Sequence, residues 1–350
     1  MESDKDLIKN GDAGASGFRR PGVVRAGILF SVTILLFILI GYRAQKSEFY
    51  TGVLITEFLL IMLPALLFLL FFRYDLKKVL RLNKTSAVNF LLIFCIMLFA
   101  LPIASIVNLA NLLIVNSIFG KIIVSQPPVA ENLTGLLVNI LLIGGTAGLC
   151  EEFLFRGVLQ RSFEVFGKAR AILLAAFLFS LTHLDFQKIF GTFALGVLIG
   201  FLVYRTDSLY SGMFAHFTNN SVAVVVSYAA TKLTGVLGNR SALPAQPDLN
   251  GMASIFKSLP KEQLMIVVFF YGVVLLVLLS IFIALIFAFI KLNPVRKGEI
   301  GPAAPTAKKA GLLCLVPGVA FIAVMYFAQV MKFRGVASPF VEQLKRLLGV

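Results

Sequence analysis

The chain reads as long apolar runs separated by short polar segments. The runs lie at 26–41, 51–72, 86–118, 133–155, 170–184, 190–204, 208–230, 264–290 and 311–331. A helix needs about 20 apolar residues to cross a hydrocarbon core ~30 Å thick. The pattern therefore predicts an all-α protein, a polytopic transmembrane helical bundle of eight or nine helices. The run 86–118 is too long for one helix perpendicular to the membrane, and Pro102 within it predicts a kink or a tilt. The runs 170–184 and 190–204 are short, and one of them suits a re-entrant segment. That leaves eight and nine both open.

Composition supports this and removes other classes. Of 350 residues 59% are hydrophobic and 14% charged, where a soluble domain has roughly 45–50% and 25%. A soluble enzyme is excluded, and so is a disordered chain, which needs low hydrophobicity and high charge. The 34 Phe residues suit a lipid-facing chain, although the chain has no Trp for an interfacial belt. Cys95, Cys150 and Cys314 lie in apolar runs without CxxC spacing, so neither a disulfide framework nor a cysteine zinc site is expected.

The net charge of +15 reads as topology. Segments 73–84 (Arg73, Lys77, Lys78, Arg81, Lys84), 156–170 (Arg156, Arg161, Lys168, Arg170) and 291–309 (Lys291, Arg296, Lys297, Lys308, Lys309) alternate with the less basic 43–50, 119–132 and 185–189. Basic loops stay in the cytoplasm, which places the N-terminus there. Residues 1–25 form a cytoplasmic polar segment. Residues 26–331 are expected to form the transmembrane domain, with its core at 133–230. The stretch 232–262, with Pro244, Pro247 and Pro260, is expected as an irregular or partly helical extramembrane loop. The basic tail 332–350 would fall outside, which speaks against nine spans. No small-residue cleavage site follows the first run, so it is expected to be retained. The basic residues form no aromatic-interleaved patch, so a nucleic-acid role is not expected.

Against this background three polar groups stand out, because an ionisable residue inside a span costs about 2.5–3.5 kcal/mol even on insertion scales. The first is Glu151-Glu152, followed by Arg156. Glu152 and Arg156 are i,i+4 and share a helix face, while Glu151 points about 100° away. Taken alone, these charges equally suit the headgroup end of a span. The second is Phe179 and His183, the third His216 and Asn220, each pair again i,i+4. A lone histidine on an apolar helix is ordinarily structural, and polar residues glue membrane helices together. Here, however, the only two histidines of the chain both follow the paired carboxylates on apolar helices. Two imidazoles and a carboxylate can converge on one water, either directly or through a zinc ion.

These residues resemble the CAAX-protease and bacteriocin-processing family of intramembrane endopeptidases, which includes the Ras-converting CAAX endoprotease. That family is marked by EExxxR, FxxxH and HxxxN on separate membrane helices. The chain carries them in order as Glu151-Glu152-x-x-x-Arg156, Phe179-x-x-x-His183 and His216-x-x-x-Asn220, over about 70 residues, 151–220. The resemblance implies hydrolysis of a peptide bond in a membrane-associated substrate, either a prenylated CAAX-type protein or a bacterial leader peptide. It implies that Glu151 activates water and that Glu152 and Arg156 orient the first helix. Phe179 would pack beside the site and place His183. His183 and His216 would polarise the water or stabilise the oxyanion, and Asn220 would hold His216 or donate to the oxyanion. A metal, if one takes part, would be zinc held by Glu151, His183 and His216. A metal-independent glutamate mechanism fits the same residues. The partners implied are membrane lipid and a peptide or lipidated-protein substrate, and the expected place is a bacterial cytoplasmic membrane.

Two other functions compete. One is a non-catalytic immunity or scaffold protein of the same fold. The other is a proton-coupled transporter using intramembrane Glu, His and Asn as a relay. A transporter commonly shows repeats and broken helices in both halves, whereas the polar residues here cluster in one block. Glu57 is the one other acid in the middle of a span.

One tension concerns depth. A straight helix from Arg170 carries His183 about 20 Å into the membrane, deeper than Glu151 and His216 would reach. Convergence requires either that the Glu151 helix run on past Arg156 or that the 170–184 helix start deeper in the membrane, and Arg156 is then expected to be buried and paired rather than at the interface.

Overall fold

A computed structural model describes residues 19–123, 128–236, 249–295 and 310–336. The polar segment 1–18, most of the basic segment 291–309, the prolines Pro244 and Pro247 and nearly all of the basic tail lie outside the described residues. Within them, nine long helices follow one another, each on one of the nine apolar runs. They are α1 (Val23–Ser47), α2 (Phe49–Phe71), α3 (Ala87–Phe119), α4 (Leu133–Phe166), α5 (Lys168–Thr182), α6 (Ile189–Thr206), α7 (Leu209–Val236), α8 (Lys261–Leu292) and α9 (Ala310–Phe333). Among the described residues, seven are long and apolar enough to cross a membrane. The two others are α5, which ends just before His183, and α7, which carries His216. α5 has only 15 residues, and α7 spends its first half on His216, Thr218, Asn219 and Asn220. The described part of 232–262 is helical, from the end of α7 and a short helix at Leu249–Ser258.

Local sequence explains the boundaries. Ser86 Oγ accepts from Asn89 N at 3.2 Å and starts α3, which ends on Gly120 in a left-handed conformation (φ 68°). α3 continues through Pro102 unbroken. At ~1.5 Å per residue its length exceeds the hydrocarbon thickness, so it must tilt or project. Glu48 separates α1 from α2 and accepts from Thr51 N (2.6 Å) and Tyr50 N (3.1 Å). Hydrogen bonds from Thr51 and then Tyr50 hold its carboxyl below the usual carboxylate range. This cap is intact above that range and is lost as pH falls through the lowered value.

The helices run alternately up and down. One end gathers Arg20, the 73–86 connection, Gly167, Asp207 and Asn293; the other gathers Phe119, Gln187, Asn250 and Phe333. Contacts fix the two ends. Arg20 lies 3.8 Å from Glu164, and Asn89 donates to Asn293 at 3.0 Å. At the opposite end the Phe119 and Phe333 rings meet at 5.3 Å, and Ile123 N donates to Gln187 Oε1 at 3.0 Å. The first and last long helices therefore place Arg20 and Phe333 at opposite ends, as an odd number of crossings requires.

One apolar core joins α1, α2, α4, α5 and α9 through Phe30, Ile34, Leu69, Phe155 and Met325. A second joins α3, α6, α7 and α8 through Ile93, Met97, Leu202 and Phe289. Outside them the surface remains apolar: Phe71 is 80% exposed and Phe269 on α8 is 73% exposed. In water such a surface would be a liability; in a bilayer it is the wall.

Close helix contact depends on small residues. On α4, a Cβ added at Gly148 would stand 3.0 Å from Met213 O and 3.1 Å from Phe217 N of α7. Backbone cannot move aside as a flexible side chain can. Gly148→Leu is therefore expected to destabilise the protein by about 1–3 kcal/mol or more. The measurement is its unfolding transition in detergent, and an unchanged transition would show that α4 and α7 are not so closely packed.

The basic end also holds a buried ionic cluster. Arg81 pairs with Glu164 and, at 2.7 Å, with Asp207. Arg161 pairs with Glu164 at 2.8 Å. Burial alone would lower the Arg81 guanidinium, but Glu164 and Asp207 outweigh it and hold it above its ordinary value. Arg81 and Arg161, which charge counting assigns to solvated loop segments, are thus structural.

Candidate functional site

α4 and α5 form an antiparallel hairpin closed at Gly167, whose φ of 96° a side chain would strain. Glu151 precedes Gly167 by 16 residues and His183 follows it by 16. The hairpin therefore brings the two to one height. α4 does run on past Arg156, unbroken to Phe166, and Arg156 is buried. Of the two routes to convergence the chain takes the first, and Arg156 is paired with Glu152.

The two adjacent glutamates have different surroundings. Glu152 is fully buried, and its Oε1 accepts from Arg156 Nη1 at 2.7 Å and from His216 Nδ1 at 2.9 Å. Arg156 also donates to Gly196 O on α6 at 3.1 Å and lies over the Phe179 ring at 4.4 Å. One turn on, Gln160 repeats the contact by donating to Gly200 O at 3.1 Å. The Phe179 ring is the hub: His183, His216 and Phe155 each stand edge-on to it, at 4.8, 5.6 and 5.3 Å. Glu152, Arg156, Phe179 and His216 thus form one packed unit drawn from three helices.

Glu151 faces the other way, into a cavity of about 250 Å³ between α1, α2, α4, α5 and α7. It is half-buried, and its Oε2 meets no donor. His183, just after α5, and Asn220, on α7, line the same cavity, with Gln45, Thr56 and Glu57 from α1 and α2. His183 Nδ1 donates to Phe179 O at 2.9 Å, so its Nε2 carries the free lone pair. Asn220 Nδ2 donates to Ile143 O at 3.0 Å, and Asn220 Oδ1 accepts from Asn219 at 2.9 Å. His216 is therefore held by Glu152 and not by Asn220, and it touches the Phe179 ring rather than lining the cavity.

Several helices around the cavity wind more widely than α. Wide turns occupy Phe37–Gly41 in α1, Ile55–Met62 in α2, and Ile140–Thr146 and Phe153–Gln160 in α4. Such turns recur at functional sites because they re-aim side chains out of the regular register. No sequence period signals them.

The sequence marks Glu57 as an acid in the middle of a span without assigning it a role, and it singles out neither Gln45 nor Thr56. Gln45 Nε2 donates to Thr56 Oγ1 at 2.9 Å, tying α1 to α2 beside the cavity. Their only signal is a polar residue at the edge of an apolar run, and proximity to Glu151 is decided by folding.

A zinc ion would need Glu151, His183 and His216 as one donor group. Among the described residues no three His, Cys, Asp or Glu side chains are set to hold a metal ion. His216 is bonded to Glu152 and meets the Phe179 ring, while Glu151 and His183 line the cavity. As placed, the donor set does not fit, and no step below passes through a metal.

Residues 133–222 match the family model described as Rce1-like, Type II CAAX prenyl endopeptidase Rce1-like. No curated protein and no solved structure matches the chain.

Proposed function

We propose that this chain, an integral membrane protein whose residues 133–222 match the Rce1-like CAAX endopeptidase family model, cleaves a peptide bond of a membrane-associated substrate with a water activated by Glu151. The observation that carries the reading is the split between neighbours. Both leave Oε2 without a partner, but Glu152 is fully buried with its Oε1 held by Arg156 and His216, whereas Glu151 is only half-buried and lines the cavity beside His183. One glutamate builds the site and the next is left to act.

Glu151 takes a proton from water, and the resulting hydroxide attacks the scissile carbonyl carbon. The oxyanion that develops needs donors in a preorganised place. Asn220 uses one N–H on Ile143 O and retains a second. His183, its ring fixed by the bond from Nδ1 to Phe179 O, offers the Nε2 lone pair to orient the attacking water. Glu152, Arg156, Phe179 and His216 act through these groups by holding α4, α5 and α7 in register.

The substrate proposed is a prenylated CAAX-type protein or a leader peptide at the membrane surface. The proposed setting is a cytoplasmic membrane, with the basic end carrying Arg20, Arg81 and Arg161 on the cytoplasmic side. The test is cleavage of a prenylated CAAX-type peptide by the purified protein with and without a chelator. Cleavage is expected and is expected to survive chelation; loss of cleavage on chelation, restored by zinc, would overturn the metal-free reading. A folded protein that cleaves neither CAAX nor leader peptides would favour a scaffold.

A further inference from the structure

We propose that Glu57 is the general acid of this site, delivering a proton to the leaving amine nitrogen. The inference rests on the peptidase reading above and assigns a second carboxyl to it.

Glu57 lies on α2, within the wide turn Ile55–Met62, and lines the same cavity as Glu151 and His183. It is 6% exposed, and its Oε2 meets no donor. Among the described residues no lysine or arginine pairs with it. A structural carboxyl inside a membrane would be expected to have such a partner, because an uncompensated charge there is costly. Its neighbour Thr56, by contrast, is fully bonded: its hydroxyl donates to Gly52 O at 2.8 Å and accepts from Gln45. Glu57 instead presents an unused carboxyl to the cavity that holds the proposed base.

Two carboxyls sharing a desolvated space do not readily both ionise. One proton between them gives an acid and a base, and the more deeply buried carboxyl holds the proton. That is Glu57; Glu151 is half-buried and beside His183. The step then balances. Glu151 removes a proton from water as the C–O bond forms. The C–N bond breaks as Glu57 gives its proton to nitrogen, leaving a neutral amine and a carboxylic acid. Glu57 is then the carboxylate and Glu151 the acid, and one proton passed back from Glu151 to Glu57 through the cavity restores the start.

The leaving group tests this. An amide nitrogen must be protonated to depart, whereas an activated ester's leaving group departs as an anion. With a fluorogenic prenylated CAAX-type peptide, Glu57→Gln is expected to lower kcat about 10²-fold. With the same peptide carrying an activated ester at the scissile position, Glu57→Gln is expected to match the wild type. Glu57→Asp is expected to restore part of the amide activity, and the unfolding transition in detergent certifies each variant as folded. Equal loss on amide and ester would make Glu57 structural, and no loss on either would remove it from the reaction; both overturn the proposal. Glu151→Ala, run alongside, separates the two readings. If it leaves both substrates cleaved, the peptidase reading of Glu151 fails, whereas a wild-type-like Glu57→Gln beside an inactive Glu151→Ala refutes only the role of Glu57.

Discussion

Replacing Glu151 with alanine lowers peptide cleavage on the order of 10²–10⁴-fold, the range for a lost general base, and leaves the unfolding transition where it stands in the wild type. The second half of the expectation follows from the bonding. Glu151 Oε2 meets no donor, and among the described residues no ion pair involves the side chain, so its removal orphans nothing. A buried, paired carboxylate such as Glu152 would behave in the opposite way. The measurement is kcat on a CAAX-type peptide, with thermal unfolding in detergent recorded on the same sample. Retained cleavage in a folded Glu151→Ala protein would remove the mechanism and leave the scaffold reading in its place.

Replacing Arg156 with methionine destabilises the protein by about 3–5 kcal/mol, because breaking a buried pair leaves the other charge uncompensated. Arg156 is 1% exposed. It answers Glu152 at 2.7 Å and Gly196 O at 3.1 Å while covering Phe179 at 4.4 Å. Methionine keeps much of the apolar bulk but none of the donors, so the loss reports on the charge. Changing Glu152 to Gln in the same chain removes that stranded charge and is expected to recover part of the stability. Cleavage stays low in both variants, since Glu152 also holds His216. A double variant no more stable than Arg156→Met would show that the pair does not carry the effect. The transition to follow is unfolding in detergent or in mixed micelles.

These two expectations concern neighbouring residues of one motif, and sequence alone does not separate their roles. At i,i+4 Glu152 and Arg156 share a helix face, and the structure has them paired as that spacing implies. The same spacing did not suggest that His216 would be the second partner of Glu152, because a contact between α4 and α7 has no local signature. For Asn220 the i,i+4 relation to His216 proved uninformative: its amide goes to Ile143 O on α4. Glu57 was visible as a costly acid in an apolar run, but nothing local placed it 94 residues away beside Glu151. Arg81 and Arg161 were counted as ordinary loop charges and are buried around Glu164. Charge counting gives the side of the membrane and says nothing of depth.

The sequence by itself determined that the chain is helical, that it lies in a membrane and where each long helix falls. The reason is local: without water every backbone group must be satisfied within its own segment, so apolar length alone selects a helix. It also singled out the few ionisable residues that lipid makes costly. Tertiary structure decided which of them meet. The Gly167 hairpin sets Glu151 level with His183, the glycine-lined contact of α4 with α7 lets Glu152 reach His216, and the wide turns of α1, α2 and α4 border a cavity at Glu151 and Glu57. Those outcomes depend on helix tilt, winding and close packing between segments distant in sequence, which no residue pattern within a single segment encodes.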